Sequence, residues 1–183
     1  MEAQKLNRFI NNLVEISRLE SGLEAIRKEP VVLRDILASS LKSLHPLISK
    51  QRFAIQMQKD FPLLKVNPAL MELVFLNLLE NAIKYGRQNG NITASVYKTD
   101  GEHVLIEISD DGIGILEEHL PRIFERFYRT DTARSRKIGG SGLGLAICKH
   151  IIEAHGQSIH VRSKEDVGTT FGFVLDGKRE ASP

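Results

Sequence analysis

An α+β fold is predicted from this sequence: a two-layer α/β sandwich in which one mixed sheet is covered by helices on one face. Stretches with apolar residues at helical spacing recur along the chain, and stretches with strand-like alternation follow them. The final strands are spaced like a hairpin. One amphipathic helix is predicted ahead of the sandwich, and 183 residues suffice for one ordinary domain plus such a helix.

The first segment is predicted to be that amphipathic helix, because apolar residues recur at three- and four-residue steps and polar residues cover the other side. The apolar positions are Leu6, Phe9, Ile10, Leu13, Ile16, Leu19 and Leu23. Gly22 follows at the end of the helix, and Pro30 marks a linker. A lone helix of this length is marginal in water, so its apolar stripe needs a partner. The pattern fits docking on its own domain and pairing with another helix equally well.

The remaining elements are predicted from Val32 onward. Helices are predicted over 32–49, from Asn67-Pro68 to about Tyr85, near 117–127 and over 143–154, and strands over 53–57, 92–96, 104–108, 159–163 and 169–175. Asn67-Pro68 indicates a helix start, because asparagine caps the first turn and proline suits the first helical position. Thr99-Asp100-Gly101 is predicted to be the turn between the two central strands.

Composition and charge narrow the class of protein. The 42% apolar and 26% charged residues are typical of a soluble globular protein, and a net charge of +2 without a basic stripe argues against nucleic acid as a partner. The single cysteine, Cys148, excludes an internal disulfide and fits a reducing compartment. No apolar run approaches the roughly 20 residues of a membrane span, and no signal peptide opens the chain, so we expect this piece to be cytosolic. The densest basic cluster lies beside glycines and suits a small polyanion such as a nucleotide: Arg126, Arg129, Arg134, Arg136 and Lys137.

The first stretch whose side chains could bind a ligand or take part in a reaction is NLLENAIKYG, residues 77–86, on a predicted helix. Asn77, Asn81 and Lys84 are spaced four and three residues apart, so they share one helix face. Two carboxamides and an ammonium on one stripe suit a hydrated Mg²⁺ and the phosphates that it bridges. Taken alone, the stretch favours the solvated face of an amphipathic helix over a binding site.

The second stretch is SDDGIGI, residues 109–115, at the end of a predicted strand. The carboxylate of Asp110 can accept a hydrogen bond from an amino group, and Gly112 and Gly114 let the backbone pass close to a flat ligand. An Asp-Gly turn that binds no ligand is common and fits the same residues equally well.

Two further stretches complete the set. In GGSGLGLAI, residues 139–147, Gly140, Gly142 and Gly144 open a helix whose first N–H groups and dipole favour phosphate. The spacing matches neither the dinucleotide fingerprint nor a P-loop, and a flexible loop is an equal alternative. GTTFGF, residues 168–173, is by itself an ordinary strand start.

In this order, the stretches resemble the ATP-binding domain of sensor histidine kinases, within the wider family that includes gyrase, the Hsp90 chaperone and MutL. NLLENAIKY is similar to the family's N box, DDGIG to its first glycine box, IFERFYR to its F box, GGSGLGL to its second glycine box and GTTF to its third. KLNRFINNLVEISRLESG resembles the second helix of the family's dimerisation and phosphotransfer domain. The resemblance over 32–175 implies a Bergerat-type ATP-binding fold, with that helix at 1–25, a linker at 26–31 and the ATP-binding catalytic domain at 32–183.

The resemblance implies ATP and Mg²⁺ as cofactors and a role for each matching residue. Asn81 would ligate Mg²⁺ with the help of Asn77, and Lys84 would neutralise phosphate charge. Asp110 would accept a hydrogen bond from the adenine 6-amino group, and Tyr85 would lie near the adenine and ribose.

The resemblance also implies residues that support adenine binding, form the lid and bind the phosphates. Thr170 would support Asp110 through a water molecule, and Arg126 and Arg129 would approach the phosphates. Residues from about 129 to 140 would form an ATP lid that orders when nucleotide binds. The other implied nucleotide-binding residues are Gly112, Gly114, Tyr128, Gly140, Gly142, Leu143 and Gly144.

The residue at position 77 indicates whether the site hydrolyses ATP or keeps its γ-phosphoryl group for transfer. In hydrolysing members of the family, a glutamate that activates water stands one helical turn before the Mg²⁺ asparagine, and this sequence has Asn77 there. An amide cannot act as a general base, and Glu80 points about a hundred degrees away from Asn81 around the helix. We therefore expect ATP binding with poor hydrolysis, which leaves the γ-phosphoryl group for a histidine acceptor.

None of the six histidines, His45, His103, His119, His150, His155 and His160, stands in an H-E-L-R-x-P-like stretch, so the resemblance places the acceptor before residue 1. The implied partners are the acceptor-histidine domain of the same or the partner protomer, a response regulator and, in the intact protein, a second copy in a homodimer. The implied location is the inner face of a bacterial membrane, on a membrane-anchored sensor. Two alternatives are a serine-protein kinase of the same superfamily and a nucleotide-sensing module without phosphotransfer.

Overall fold

The computed structural model describes residues 26–45, 47, 51–57, 63–99, 103–130 and 140–177. It also describes eight positions near the start of the chain: Asn7, Ile10, Asn11, Val14, Ser17, Arg18, Ser21 and Gly22. The first seven of these are helical, which agrees with the helix predicted there. The central part of the predicted lid, 131–139, and residues 100 and 101 of the predicted turn lie outside the described residues.

A five-stranded mixed sheet forms one layer of the domain. Its strands are β2 (Arg52–Met57), β4 (Asn91–Lys98), β5 (His103–Asp110), β6 (Ile159–Lys164) and β7 (Gly168–Asp176). Their order is β2-β4-β5-β7-β6, with β2 parallel to β4 and every other neighbouring pair antiparallel. A separate two-stranded ribbon pairs β1 (Glu29–Val31) with β3 (Leu64–Val66).

Three helices form the second layer: α1 (Leu33–Leu44), α2 (Pro68–Tyr85) and α3 (Gly144–Ala154). Alternate residues of β4, β5 and β7 are buried on the side that faces these helices, as strands with one covered face require. Phe75 of α2 packs against Phe173 of β7 with ring centroids 6.2 Å apart. The predicted two-layer fold, with helices on one face of a mixed sheet, is confirmed.

Helix α2 carries most of the site, and its ends are where the sequence predicts them. The side-chain oxygen of Asn67 accepts a hydrogen bond from the Leu70 N–H at 3.0 Å, and Pro68 occupies the first helical position. The helix ends where the Gly86 N–H donates to the Ala82 carbonyl at 2.9 Å. None of the helices that the structure describes combines the length and apolar composition needed to cross a bilayer.

Three predicted elements differ from the structure. Helix α1 ends at Leu44, earlier than predicted, because Pro46 has no N–H with which to continue the helical hydrogen bonds. The predicted helix near 117–127 is a short 3₁₀ helix, Glu117–Arg122, that contains Pro121 and is followed by turns. Strand β1 lies inside the predicted linker and is too short to show an alternating pattern.

Candidate functional site

One face of α2 forms the floor of the site. Asn77, Asn81 and Lys84 lie on this helix at the predicted spacing, and all three are partly buried. Tyr85 is its last residue. Tyr85 lies eight residues after Asn77, about 12 Å along the helix axis, a length that an extended nucleoside triphosphate can span.

Asn77 faces the start of α3. A methyl group added at Gly144 would lie 3.1 Å from Asn77 Oδ1, so glycine leaves room for this close approach. The Asn77 Nδ2 group is buried and has no hydrogen-bond partner among the described residues. A buried donor without a partner costs about 1–3 kcal/mol, so this Nδ2 group is suited to donate to an acceptor on a ligand, such as a phosphate oxygen.

The donor set around Asn77 and Asn81 fits a magnesium ion. Both residues present amide oxygens, which are hard ligands of the kind that Mg²⁺ prefers, and their number leaves coordination positions for water and phosphate. Lys84 lies one turn beyond Glu80, with Lys84 Nζ 3.7 Å from Glu80 Oε2. The ammonium therefore has a carboxylate partner on the same helix.

The two adjacent aspartates at the end of β5 have different surroundings. Asp110 Oδ1 accepts a hydrogen bond from the Gly112 N–H at 2.9 Å. Both carboxylate oxygens of Asp111 accept from the Asn91 N–H at 2.9 Å, and its Oδ2 also accepts from Asn91 Nδ2 at 2.7 Å. Asp111 thus stabilises the start of β4, which leaves Asp110 as the carboxylate available to a ligand.

Burial makes Asp110 a weaker acid than an ordinary aspartate. Its removal from water, reinforced by the neighbouring Asp111 charge, raises the pKa of Asp110 from 3.8 to about 6, although backbone hydrogen bonds from Gly112 and Thr169 oppose the shift. A pKa shift of this size, caused mainly by burial, is typical of a functional carboxylate.

Gly112 joins the end of β5 to the end of α2. A methyl group at this position would lie 2.2 Å from the Tyr85 carbonyl oxygen and 2.6 Å from Asp110 Oδ1, so only glycine fits. The next residue, Ile113, donates its N–H to the Tyr85 carbonyl at 3.1 Å. This contact holds Asp110 beside the C-terminal end of the helix that carries Asn77 and Asn81.

The structure corrects the role predicted for Thr170. Thr169 pairs with Asp110 in the antiparallel register of β5 and β7, whereas Thr170 pairs with Ser109. Because successive side chains on a strand point to opposite faces, Thr170 lies on the other side of the sheet from Asp110. There its hydroxyl lies 2.9 Å from the Ser109 hydroxyl. Thr169, which is 7% exposed, is the hydroxyl residue on the Asp110 side.

The β6–β7 turn and the start of β7 close the site next to Asp110. A methyl group at Gly114 would meet the Lys164 carbonyl at 2.0 Å, and one at Gly168 would meet the Asp110 carbonyl at 2.1 Å. The Ser163 hydroxyl lies 2.8 Å from that of Thr169 and accepts from the Ile115 N–H at 2.8 Å. These contacts hold the two glycine-containing stretches together.

The residues on either side of 131–139 are in direct contact with each other. The Phe127 N–H donates to the Gly142 carbonyl at 2.9 Å, and Gly142 adopts a φ of +71° with no room for a side chain against the Phe127 backbone. Arg129 Nη1 donates to the Gly140 carbonyl at 3.2 Å. Both ends of the predicted lid are therefore anchored at the same place.

Tyr128 is held by two neighbours from the preceding 3₁₀ helix. Its hydroxyl lies 2.7 Å from His119 Nδ1, and the Arg122 guanidinium stands 4.4 Å from the centre of its ring. Arg126 lies near α3, where burial and then the Arg126 charge lower the pKa of His150. The three F-box residues predicted to bind nucleotide, Arg126, Tyr128 and Arg129, therefore lie at the base of the lid.

The start of α3 is open towards Asn77. Leu143 is buried at the N-cap and its side chain offers no acceptor for the first-turn N–H groups. Such uncapped N–H groups at a helix N-terminus favour an anion. Gly140, Gly142, Leu143 and Gly144 lie at this helix N-terminus or within four residues before it.

The described residues therefore form one continuous site rather than scattered motifs. Contacts run from Asp110 through Gly112 to Tyr85, along α2 to Asn77, from Asn77 to Gly144, and from Gly142 to Phe127. Sequence reasoning missed Thr169 and His119. The register of a hairpin could not be read from GTTF alone, and a histidine in a 3₁₀ helix carries no motif.

A mixed sheet with helices on one face carries a partly buried carboxylate at one end of this site and an uncapped helix N-terminus at the other, an arrangement that suits a nucleotide. A profile of the family described as "Histidine kinase-, DNA gyrase B-, and HSP90-like ATPase" matches residues 66–179, more than half of the chain. This chain belongs to that family.

Curated relatives and solved structures agree with this assignment. The chain is 33% identical over 181 residues to the sensor histidine kinase WalK of Bacillus subtilis (strain 168), covering 98% of the chain and 30% of that protein. It is 38% identical over 184 residues to the sensor-like histidine kinase SenX3 of Mycobacterium bovis, covering 99% of the chain and 44% of that protein. A solved mycobacterial sensor histidine kinase, MprB, superposes with a TM-score of 0.71 at 29% identity, covering 82% of this chain and 98% of that one.

The chain spans less than half the length of these curated relatives. Its homology to sensor histidine kinases and the ATP-binding character of its family are established by these matches.

Proposed function

We propose that this chain is the catalytic region of a sensor histidine kinase, which binds Mg-ATP and transfers the γ-phosphoryl group to a histidine outside this sequence. The observation that carries the proposal is the placement of Asn77. Its Nδ2 group is buried without a hydrogen-bond partner among the described residues, its Oδ1 lies beside Gly144 at the N-terminus of α3, and the residue shares a helix face with Asn81. Oxygens of a polyphosphate would accept from the Nδ2 group and from the N–H groups of the helix N-terminus, and the amide oxygens would suit the cation that accompanies it.

The Asp110 end of the site would select adenine. A carboxylate accepts hydrogen bonds, so it pairs with the amino group at adenine C6 and not with the carbonyl oxygen that guanine carries there. Thr169 lies on the same side of the sheet and supports the carboxylate through its backbone hydrogen bond. Tyr85 and the glycines at 112 and 114 would line the base and ribose.

The other end of the site would hold the phosphates. Asn81 and Asn77 would ligate Mg²⁺, which neutralises phosphate charge and orients the γ-phosphoryl group when bound. Lys84, Arg126 and Arg129 would add positive charge, and the N–H groups of 140–144 would bind phosphate oxygens.

The chemistry requires positioning more than proton transfer from this chain. A lone pair of the acceptor imidazole attacks the γ-phosphorus, the bond to the bridging β–γ oxygen breaks, and ADP leaves with the electron pair. Asn77 stands where hydrolysing members of the family have a glutamate base. Because an amide cannot deprotonate water, the site would hold ATP for the histidine instead of hydrolysing it.

The same proposal extends to the first helix, the oligomeric state, the phosphoryl acceptor and the location of the chain. The helix at 1–25 would be the end of a dimerisation and phosphotransfer domain, and the intact protein would be a homodimer. The phosphoryl group would pass to an aspartate of a response regulator receiver domain. The chain would face the cytoplasm as part of a membrane-anchored sensor.

A transfer assay tests the proposal directly. The purified chain is incubated with Mg²⁺, ATP labelled at the γ-phosphate and a separately purified acceptor domain that contains the histidine. We expect slow labelling of the acceptor, since the two domains are no longer tethered, and the label should be acid-labile and base-stable, as phosphohistidine is. Asn81→Ala should abolish transfer, whereas Asn7→Ala, an exposed asparagine of the first helix, should not change it.

Two outcomes would contradict the proposal. Acid-stable label on serine would assign the chain to the serine kinases of the superfamily. Nucleotide binding without any transfer would indicate a sensing module.

A further inference from the structure

His155 lies at the end of α3, far from the residues discussed so far, and it is only 5% exposed. Its Nε2 accepts a hydrogen bond from the backbone N–H of Asn67 at 3.1 Å. Its Nδ1 lies 2.7 Å from the Ile151 carbonyl oxygen. Since a backbone N–H can only donate, Nε2 carries no proton, and Nδ1–H donates to Ile151. The ring is thus neutral, with both nitrogens bonded.

Asn67 is the N-cap of α2, and its backbone N–H and its side chain together make three hydrogen bonds. Its N–H donates to His155, its side-chain oxygen accepts from the Leu70 N–H, and its Nδ2 donates to the Arg27 carbonyl at 3.0 Å. The last of these bonds connects α2 to the segment that enters the domain before β1.

Lys28 makes the corresponding connection to α3. Its ammonium donates to the His155 carbonyl at 3.1 Å, at the C-terminal end of that helix. A positive charge is favoured there by the helix dipole and by the unpaired carbonyls of the last turn. We call Arg27, Lys28, Asn67 and His155 the latch.

The latch joins the far ends of the two helices that meet at the nucleotide site. Asn67 lies ten residues before Asn77, about 15 Å along α2, and His155 lies eleven residues after Gly144, about 16 Å along α3. In the middle of α2, Asn77 lies close to Gly144, the first residue of α3. Because a packed helix is stiff, a displacement at the latch would change the spacing between Asn77 and Gly144.

We propose that His155 is a positioning residue of the nucleotide site, and that the latch couples the chain entering at 27–28 to the placement of Asn77 and Asn81. The coupling rests on the proposed nucleotide-binding function. It is reciprocal, so bound Mg-ADP strengthens the latch by the same factor by which the latch strengthens Mg-ADP binding. The segment at 27–28 is then a determinant of nucleotide affinity, in addition to being a connector.

Four variants test the coupling. His155→Leu removes both ring nitrogens, whereas His155→Gln keeps an acceptor that can reach the position of Nε2. Lys28→Met removes only the ammonium. Lys42→Met is the matched control, because Lys42 is an exposed lysine near the end of α1.

Mg-ADP affinity is measured by calorimetry, and the Asn67 amide and the side-chain amides of Asn77 and Asn81 are followed by NMR. We expect about tenfold weaker Mg-ADP binding in His155→Leu, recovery to within about threefold in His155→Gln and about threefold weaker binding in Lys28→Met, since coupling between sites is commonly of this order. The Asn77 and Asn81 amide resonances should shift in Lys28→Met and stay in place in Lys42→Met.

A purely structural latch gives a different result. In that case Lys28→Met speeds hydrogen exchange at Asn67 but leaves Mg-ADP affinity and the Asn77 and Asn81 resonances unchanged, which overturns the proposal. If the wild-type chain binds no Mg-ADP, the proposed function fails instead. The coupling is then decided by whether the Asn77 and Asn81 resonances respond to Lys28→Met, and unchanged resonances again overturn it.

Discussion

Replacing Asp110 by asparagine should stabilise the empty domain and weaken nucleotide binding at the same time. The pKa of Asp110 is raised from 3.8 to about 6, chiefly by burial. Each pKa unit corresponds to about 1.4 kcal/mol, so a shift of about two units gives about 3 kcal/mol against the charged form at neutral pH. Partial exposure and solvent screening reduce this to about 1–2 kcal/mol. The fold does not require a charge at this position, because the oxygen of an amide can also accept the Gly112 N–H.

The pH dependence of this gain has a definite sign. The folded state holds the Asp110 proton more tightly than the unfolded state, so the carboxyl contributes stability at low pH that is lost as pH rises through about 6. Asp110→Asn does not titrate. Its advantage over the wild type in free energy of unfolding should therefore be small near pH 4 and reach its full value above pH 6.

The assay is urea unfolding without nucleotide at pH 5, 6, 7 and 8, combined with calorimetric titration of Mg-ADP. We expect binding to weaken by about 100-fold, because the amide would present an N–H group or a weaker acceptor to the adenine amino group. Asp111→Asn is the matched control. It should lower stability and largely spare binding, because Asp111 accepts its hydrogen bonds from Asn91. A loss of stability in Asp110→Asn that is equal at every pH would refute the reasoning.

Three further changes test separate parts of the site. Gly112→Ala should lower the free energy of unfolding by about 1–3 kcal/mol in urea titrations, because its methyl group would overlap the Tyr85 carbonyl at 2.2 Å, and an unchanged unfolding midpoint would contradict this contact. Thr169→Val should weaken Mg-ADP binding several-fold in calorimetry, because it removes the hydroxyl that bonds Ser163 and so loosens the strand whose backbone N–H supports Asp110, while Thr170→Val should leave binding unchanged; the reverse order would support the role predicted for Thr170. Asn81→Ala should remove most of the Mg²⁺ dependence of ADP binding, measured by titration with and without the metal, and equal dependence in variant and wild type would argue against its role as a ligand.

Local signals in the sequence were sufficient for the helices and the main strands. Helix α2 begins and ends as predicted because Asn67 and Pro68 act within one turn and its apolar spacing continues unbroken to Tyr85. In β4, β5 and β7 every second residue of the strand's central part is buried, which is a local pattern with a period of two. The same locality explains two errors, since Pro46 and Pro121 limit elements whose apolar spacing suggested longer helices.

The site could be predicted from sequence as a set of residue types, because each motif is short and contiguous. Which member of a pair performs a role could not be predicted in this way. Asp110 differs from Asp111 because Asn91, twenty residues before Asp111, donates hydrogen bonds to the Asp111 carboxylate. Thr169 differs from Thr170 because the register between β5 and β7 places only the first opposite Asp110. Both distinctions depend on hydrogen bonds between strands, which a reading of consecutive residues does not contain.

Sequence alone determined the fold class, the order of the elements and the family resemblance, since these depend on periodicity and on short motifs. Tertiary structure decided the strand order β2-β4-β5-β7-β6, the pairing of β1 with β3 and the contact of Asn77 with Gly144. It also brought His155 to Asn67 and Lys28, which are 88 and 127 residues away along the chain. The physical reason is that such contacts form only when non-local segments are packed together, so their partners are set by the geometry of the whole core.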